Sequence, residues 1–265
     1  MSKNKFTKLT TLIVASSILC FSGIASAGSI TLATTIRDFS AAHDDFQSAV
    51  GGSGFVTGLV SSTLGPDGKP VYVGGTTLST EANFNQWYND TPGTNYTFAG
   101  ELVATETAVG SGIFSYTNNA YFPINGLGFG NEGNSANYHF TTEINTNFTY
   151  TGFGAGADFS FTGDDDVWVF VNKALVIDLG GIHGAVSGSV DIDGLGLTLG
   201  ETYSLDIFQA ERQTTGSNFS FTTAATLVSA PVPEPATLIL LLMGLVGLTL
   251  NSRRGITGNT PNLTA

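Results

Sequence analysis

The residue types best suited to chemistry come together once, at Gly163-Asp164-Asp165-Asp166, immediately ahead of Val167-Trp168-Val169-Phe170-Val171-Asn172. Three adjacent carboxylates repel one another, and each raises the pKa of its neighbours unless a cation compensates. Two readings stand. One is a solvated β-turn that opens a strand; the other is a shared metal ion. Calcium is the natural guest, because carboxylates, carbonyls and water are its preferred ligands. In an extended trans chain, successive side chains point to opposite sides, so neighbouring aspartates do not readily clasp one ion. A cis peptide brings their Cα atoms to about 2.9 Å and turns both carboxylates the same way. The ion reading therefore asks for a cis bond between neighbouring aspartates.

Other polar residues carry a functional and a structural reading side by side. His183, in Gly181-Ile182-His183-Gly184, is a metal ligand or the cap of a glycine turn, and the cap is favoured. Asp178 ends an apolar run, where an aspartate accepts turn N–H groups more often than it binds a metal. Glu211-Arg212 pairs with Asp164 to Asp166 or with Asp178. Trp87 and Tyr88 are a sugar-stacking platform or, the commoner fate of large aromatics, core. Asp191-x-Asp193-Gly194 opens like a calcium loop but has no Glu at the twelfth position. No Gly-x-Ser-x-Gly elbow occurs, and His43, His139 and His183 lack metal-helix spacing. A glycoside hydrolase needs only two placed carboxylates, which 21 acidic residues would hide.

Strands must position these residues. Apolar alternation recurs at Ile30/Leu32, Phe159/Phe161, Val167/Val169/Val171, Tyr203/Leu205/Ile207 and Phe219/Phe221, each placing one strand face inward. Trp168 and Phe170 lie on the opposite face of their strand, which predicts a central strand covered on both sides. Glycine, 34 of 265 residues, punctuates the runs. A short helix is expected over Ala41 to Ala49, with Ser40 as its N-cap. The reading is all-β: one β-sandwich domain with long loops over 28–228, plus an N-terminal signal helix and a C-terminal hydrophobic helix.

Charge divides by position. From Gly28 to Pro235 only Arg37, Lys69, Lys173 and Arg212 stand against all 21 acids, a balance of −17. Such a body repels phosphate backbones, so no nucleic-acid partner is expected. Lys3, Lys5 and Lys8 precede an apolar run ending in Ala25-Ser26-Ala27, the pattern of a secretory signal peptide over 1–27 cut between Ala27 and Gly28. At the other end, Pro233-Glu234-Pro235 closes a proline-rich linker over 229–235. A hydrophobic segment with an Arg253-Arg254 stop follows over 236–254, then a trailer over 255–265. The fifteen apolar positions from Ala236 to Leu250 reach about 22 Å as helix, short of a ~30 Å hydrocarbon core. A short span with a basic stop suits a transient membrane anchor held before cleavage; an ordinary single-span anchor is the alternative.

This three-part tail resembles the bacterial Pro-Glu-Pro sorting tail (PEP-CTERM). The resemblance implies a Gram-negative bacterium, processing by signal peptidase and an exosortase, and delivery to the cell surface or an exopolysaccharide matrix. The body is similar to a fibro-slime domain, itself related to the β-sandwich of anthrax protective antigen (the PA-fourteen superfamily). The matching stretches run in order: Ile36-Arg37-Asp38-Phe39 with His43-Asp44-Asp45-Phe46, then Phe84 to Tyr88, Tyr121 to Ile124 and His139-Phe140-Thr141. Gly163 to Val171, Leu175 to Gly181 with His183, Phe208 to Arg212 and Ser217-Asn218-Phe219 complete them. The resemblance implies a non-catalytic extracellular module. In its carbohydrate-binding members a cis-linked aspartate pair holds calcium, and the ion ligates sugar hydroxyls; that pair aligns with Asp164 and Asp165. Asp166 stands where glycine is common, and Asn172 where Asp is common. Further ligands come from a later loop, here Gln209 to Asn218, with Asp166, Glu211 and Asn218 as candidates. The expected function is calcium-dependent binding of a glycan or exopolysaccharide, or adhesion. The alternatives are a structural matrix protein without sugar binding and a polysaccharide-processing enzyme.

Overall fold

Alternating apolar residues become ten strands among the residues that the computed structural model describes, 26–47, 54–74, 79–154 and 158–228. They are β1 (Ser29–Phe39), β2 (Asn95–Glu106), β3 (Phe114–Asn118), β4 (Phe140–Thr149), β5 (Asp158–Gly163), β6 (Asp166–Val171), β7 (Ala174–Leu179), β8 (Val186–Asp191), β9 (Thr202–Glu211) and β10 (Phe219–Thr223). All pair antiparallel in one continuous sheet of order β7-β6-β9-β4-β1-β2-β3-β10-β5-β8. The sheet curls into two layers, and its ends meet: a Cβ at Gly188 of β8 would lie 2.8 Å from Ile177 Cγ2 of β7.

The inward faces form one core, in which Leu32, Ile144, Phe161, Val167, Val169, Ile207 and Phe221 are buried together. A second core covers the outer face of β6 and β9, where Trp168, Phe170 and Phe208 pack under Phe46, Phe84, Trp87 and Tyr88. β6 lies between β7 and β9 and is buried along its whole length, the central position that its two apolar faces require. Trp87 and Tyr88, each 1% exposed, are core and offer no stacking face.

The helix expected from Ala41 does not form in its described part. Residues 41–47 make successive turns, with His43 N–H donating to Ser40 O and Phe46 N–H to His43 O. Phe39, His43 and Phe46 pack as a ring cluster in this compact turn, so side-chain packing overrides local propensity. A one-turn helix, α1 (Glu81–Phe84), forms instead, with the Thr80 hydroxyl accepting from Asn83 N–H. Among the described residues no helix is long and apolar enough to cross a membrane. The signal segment except Ser26 and Ala27, the 229–235 linker and the 236–254 hydrophobic segment lie outside the described residues.

One loop contact sets a sharp local test. Asp38, at the end of β1, accepts from Asn137 Nδ2 at 2.7 Å and from Phe129 N–H at 2.5 Å. Gly128 has φ +60°, and a Cβ there would lie 2.0 Å from Asp38 Oδ2. Gly130 has φ +76° with nothing within 4 Å. Gly130→Ala is expected to cost about 1–2 kcal/mol through the backbone alone. Gly128→Ala should cost a further ~1.5–3 kcal/mol, because Asp38 must leave its donors. Urea denaturation of the two variants checks the difference, and equal midpoints would refute the account.

Candidate functional site

β5 ends at Gly163 and β6 begins at Asp166, so Asp164 and Asp165 form the junction between two strands of opposite layers. Glycine is needed at 163, where a Cβ would lie 2.7 Å from Phe161 Cε1 and 2.8 Å from Val167 Cγ2. The main chain is pinned on both sides. Asp165 N–H donates to Ala210 O at 3.0 Å, and Gln209 Nε2 donates to Asp164 O at 2.8 Å. β9 ends at Glu211 and β10 begins at Phe219, so the 212–218 loop closes over the junction. The Asp164–Asp165 peptide bond is cis.

Each carboxylate has its own donors. Asp164 is clasped by Asn218, whose backbone N–H donates to Oδ1 and whose Nδ2 donates to Oδ2 at 2.8 Å. Asp165 accepts from His183 N–H at 3.1 Å and from Arg212 N–H at 3.0 Å. Asp166 turns elsewhere: Oδ1 accepts from Gly181 N–H at 2.5 Å, and Oδ2 pairs with Arg212 Nη1 at 3.2 Å. Arg212 therefore takes Asp166, and not Asp178, as its carboxylate partner. Asp178 receives Gly58 N–H at 2.7 Å and Trp168 Nε1–H at 3.0 Å. The His183 ring faces Gly184 O at 2.7 Å and Leu179 O at 3.1 Å, which makes the residue a turn cap. Asp193 accepts from Tyr150 OH and from the N–H groups of Phe153 and Gly154, so it caps a turn too.

Burial makes this cluster electrostatically tense. Asp164 is 7% exposed, Asp165 3% and Glu211 1%. Burial chiefly, then the charge of Asp166, pushes the Asp165 carboxyl up to about 8, with Arg212 pulling the other way. Burial and the charges of Asp165 and Asp164 push Glu211 well above the usual carboxylate range. Glu211 Oε2, Gln209 Oε1 and Ser217 Oγ are buried without a hydrogen-bond partner. Among the described residues no three His, Cys, Asp or Glu side chains are grouped to hold a metal by themselves. A cation here would need Asn218 or main-chain oxygens beside the aspartates. The later loop expected over Gln209 to Asn218 is shorter, 212–218: Gln209 and Glu211 are the last residues of β9, where Gln209 continues the inward alternation of Leu205 and Ile207 and holds the Asp164 carbonyl, and only Asn218 of the three lies in the loop.

Residues 131–231 match the family model of the PA14 domain, a stretch that contains the whole Asp164–Asn218 cluster. Residues 231–254 match the PEP-CTERM protein-sorting motif. The chain thus carries a PA14 domain followed by a PEP-CTERM sorting motif. Protein psiQ of Dictyostelium discoideum is 40% identical over 225 residues, covering 79% of this chain and 22% of that protein. Protein psiC of the same organism is 38% identical over 213 residues, covering 74% of this chain and 41% of that protein. The chain thus spans well under half the length of these relatives. Among solved structures, a PA14 sugar-binding domain from an RTX adhesin aligns at 12% identity and a TM-score of 0.34, covering 75% of this chain and 94% of that one. The PA14 domain of the MpAFP antifreeze protein aligns at 10% identity and a TM-score of 0.31, covering 78% and 95%.

Proposed function

We propose that this chain is an exported, non-enzymatic surface or matrix protein whose sheet body binds carbohydrate through calcium at Asp164 and Asp165. The observation that carries the reading is the cluster itself: two adjoining buried aspartates beside the buried Glu211 carboxyl and Gln209 Oε1, an oxygen acceptor with no donor of its own. An oxygen-only set of this kind suits a hard divalent cation. Asp164 and Asp165 would hold the ion, and Asn218 would add its amide oxygen. The N–H groups of His183 and Arg212 orient the Asp165 carboxylate. When bound, the ion supplies coordination positions for sugar hydroxyls.

Export rests on the sorting-motif match and the leader. Signal peptidase would cut between Ala27 and Gly28, the 236–254 segment would hold the chain briefly in the inner membrane of a Gram-negative cell, and an exosortase would release it at Pro233-Glu234-Pro235. An exopolysaccharide of the producing cell is then the nearest glycan. Calorimetry with calcium and that isolated polysaccharide tests the reading. A calcium-dependent component of the binding heat is expected, lost in EDTA and lost in Asp165→Ala. Heat that is the same with calcium and in EDTA, or that Asp165→Ala leaves unchanged, overturns it.

The depth of the aspartates, 7% and 3% exposed, favours a second reading in which the ion only ties the 181–183 and 212–218 loops together in a structural matrix protein. Calcium then raises the thermal midpoint while no sugar affinity accompanies it.

A further inference from the structure

A second feature lies far from the aspartates in sequence. β1 and β2 pair along their whole length, from Ser29↔Thr105 to Phe39↔Asn95. β2 and β3 pair only at Thr105↔Ser115 and Glu106↔Phe114, after which β3 follows β10. The outer edge of β2 from Phe98 to Leu102 therefore parts from Tyr116–Asn118. The gap is a hollow of about 370 Å³, closed on its far side by residues 120–124 and Leu127. That volume falls within the roughly 300–1,000 Å³ range of ligand sites.

The hollow reaches the inner face because a side chain is missing. On β2 the inward positions include Leu102 and Ala104, both buried, and Gly100 falls in the same alternation. A Cβ at Gly100 would lie 2.7 Å from Thr34 Oγ1 and 3.0 Å from Ile36 Cδ1. Thr34 is 4% exposed and lines the hollow, and its hydroxyl has no hydrogen-bond partner. A buried hydroxyl in that condition is unfavourable in isolation and specific for a polar atom brought to it. Around it stand the half-buried rings of Phe98, Tyr116 and Phe122. Glu101 is the single charged residue in the lining, and no Lys or Arg contributes.

We propose that this hollow is a metal-independent carbohydrate subsite that takes one neutral hexose ring. The rings of Phe98, Tyr116 and Phe122 meet its apolar face, and the Thr34 hydroxyl bonds one of its hydroxyls. With Glu101 present and no cation to balance it, a uronate is rejected. The subsite lies wholly outside residues 131–231 and does not rest on the calcium reading.

Saturation-transfer NMR on the full-length protein in EDTA tests it, using the methyl glycosides of glucose, galactose, mannose and N-acetylglucosamine, with glucuronate as the anionic control. Transfer to at least one neutral glycoside and none to glucuronate is expected. Thr34→Val should weaken that binding at least tenfold while keeping or raising the thermal midpoint, since valine fills the same space without the unpaired hydroxyl. Phe122→Ala, at the half-buried rim, should weaken it as well. No transfer to any neutral glycoside in EDTA overturns the proposal, as does transfer undiminished in both variants. Because the measurement is made in EDTA, where the calcium reading predicts no contribution, failure of the calcium site is read separately.

Discussion

Arg212→Met is expected to lower the free energy of unfolding by about 3–5 kcal/mol, the cost of stranding one member of a buried ion pair. The guanidinium is fully buried, with Nη1 3.2 Å from Asp166 Oδ2, Nε donating to Asp45 O at 2.6 Å, and its centre 4.9 Å above the Trp87 ring. Asp166 is equally buried and keeps only Gly181 N–H when the arginine is gone. Methionine retains much of the side chain's length and apolar volume, so the loss reports the charge and its hydrogen bonds. Adding Asp166→Asn removes the stranded charge while keeping an acceptor for Gly181, and should recover a substantial part of the loss. Guanidinium unfolding of both singles and the double gives the coupling directly. Additive losses would show that the pair does not hold the junction.

The second large effect concerns pH. Without calcium, the protein is expected to lose stability as pH rises from about 4 to about 8. An unfolded aspartate titrates near the ordinary 3.8, whereas folded Asp165 titrates near 8. Between those values the folded state holds a proton that the unfolded state has released. Stability associated with that proton is fully present below the lower value and is lost as pH climbs through the upper one. The slope approaches ~1.4 kcal/mol per pH unit for one group. Glu211, shifted in the same direction, adds to it. Calcium favours the ionised carboxylates and should flatten the profile, with the largest gain at pH 8. Thermal unfolding of wild type and Asp165→Asn in EDTA across this window checks it. The neutral amide removes the Asp165 part of the slope, and an identical slope in both proteins refutes the assignment.

Much of this junction was legible in the sequence for a physical reason. Adjacent aspartates ahead of an apolar alternation can lie only at the mouth of a strand, and Trp168 and Phe170 opposite Val167 and Val169 mark that strand as covered on both faces. What the sequence hid was which acid faces which partner. Asp164, Asp165 and Asp166 are equivalent on paper, yet tertiary contacts give one to Asn218, one to two main-chain N–H groups and one to Arg212. Residues 41–47 depart from the expected helix because their helical propensity yields to packing of Phe39, His43 and Phe46. The Gly100 hollow was invisible for a similar reason: a lone glycine in a strand shows its meaning only when Thr34 and Tyr116 are brought beside it.

β4 runs between the two poles of the molecule. Its first residue, Phe140, pairs with Glu211 beside the aspartates. Near its other end, Phe148 bridges Leu227, Val228 N–H donates to Asn147 O at 2.8 Å, and Thr146 donates to Val228 O at 3.1 Å. The seven residue-to-residue rises from Phe140 to Asn147 span about 23 Å. A pull applied through the chain beyond Val228 thus enters about one strand length away from the acidic junction. Force would shear the short Leu227–Val228 clasp before it reached the strands that carry Asp164 and Asp165.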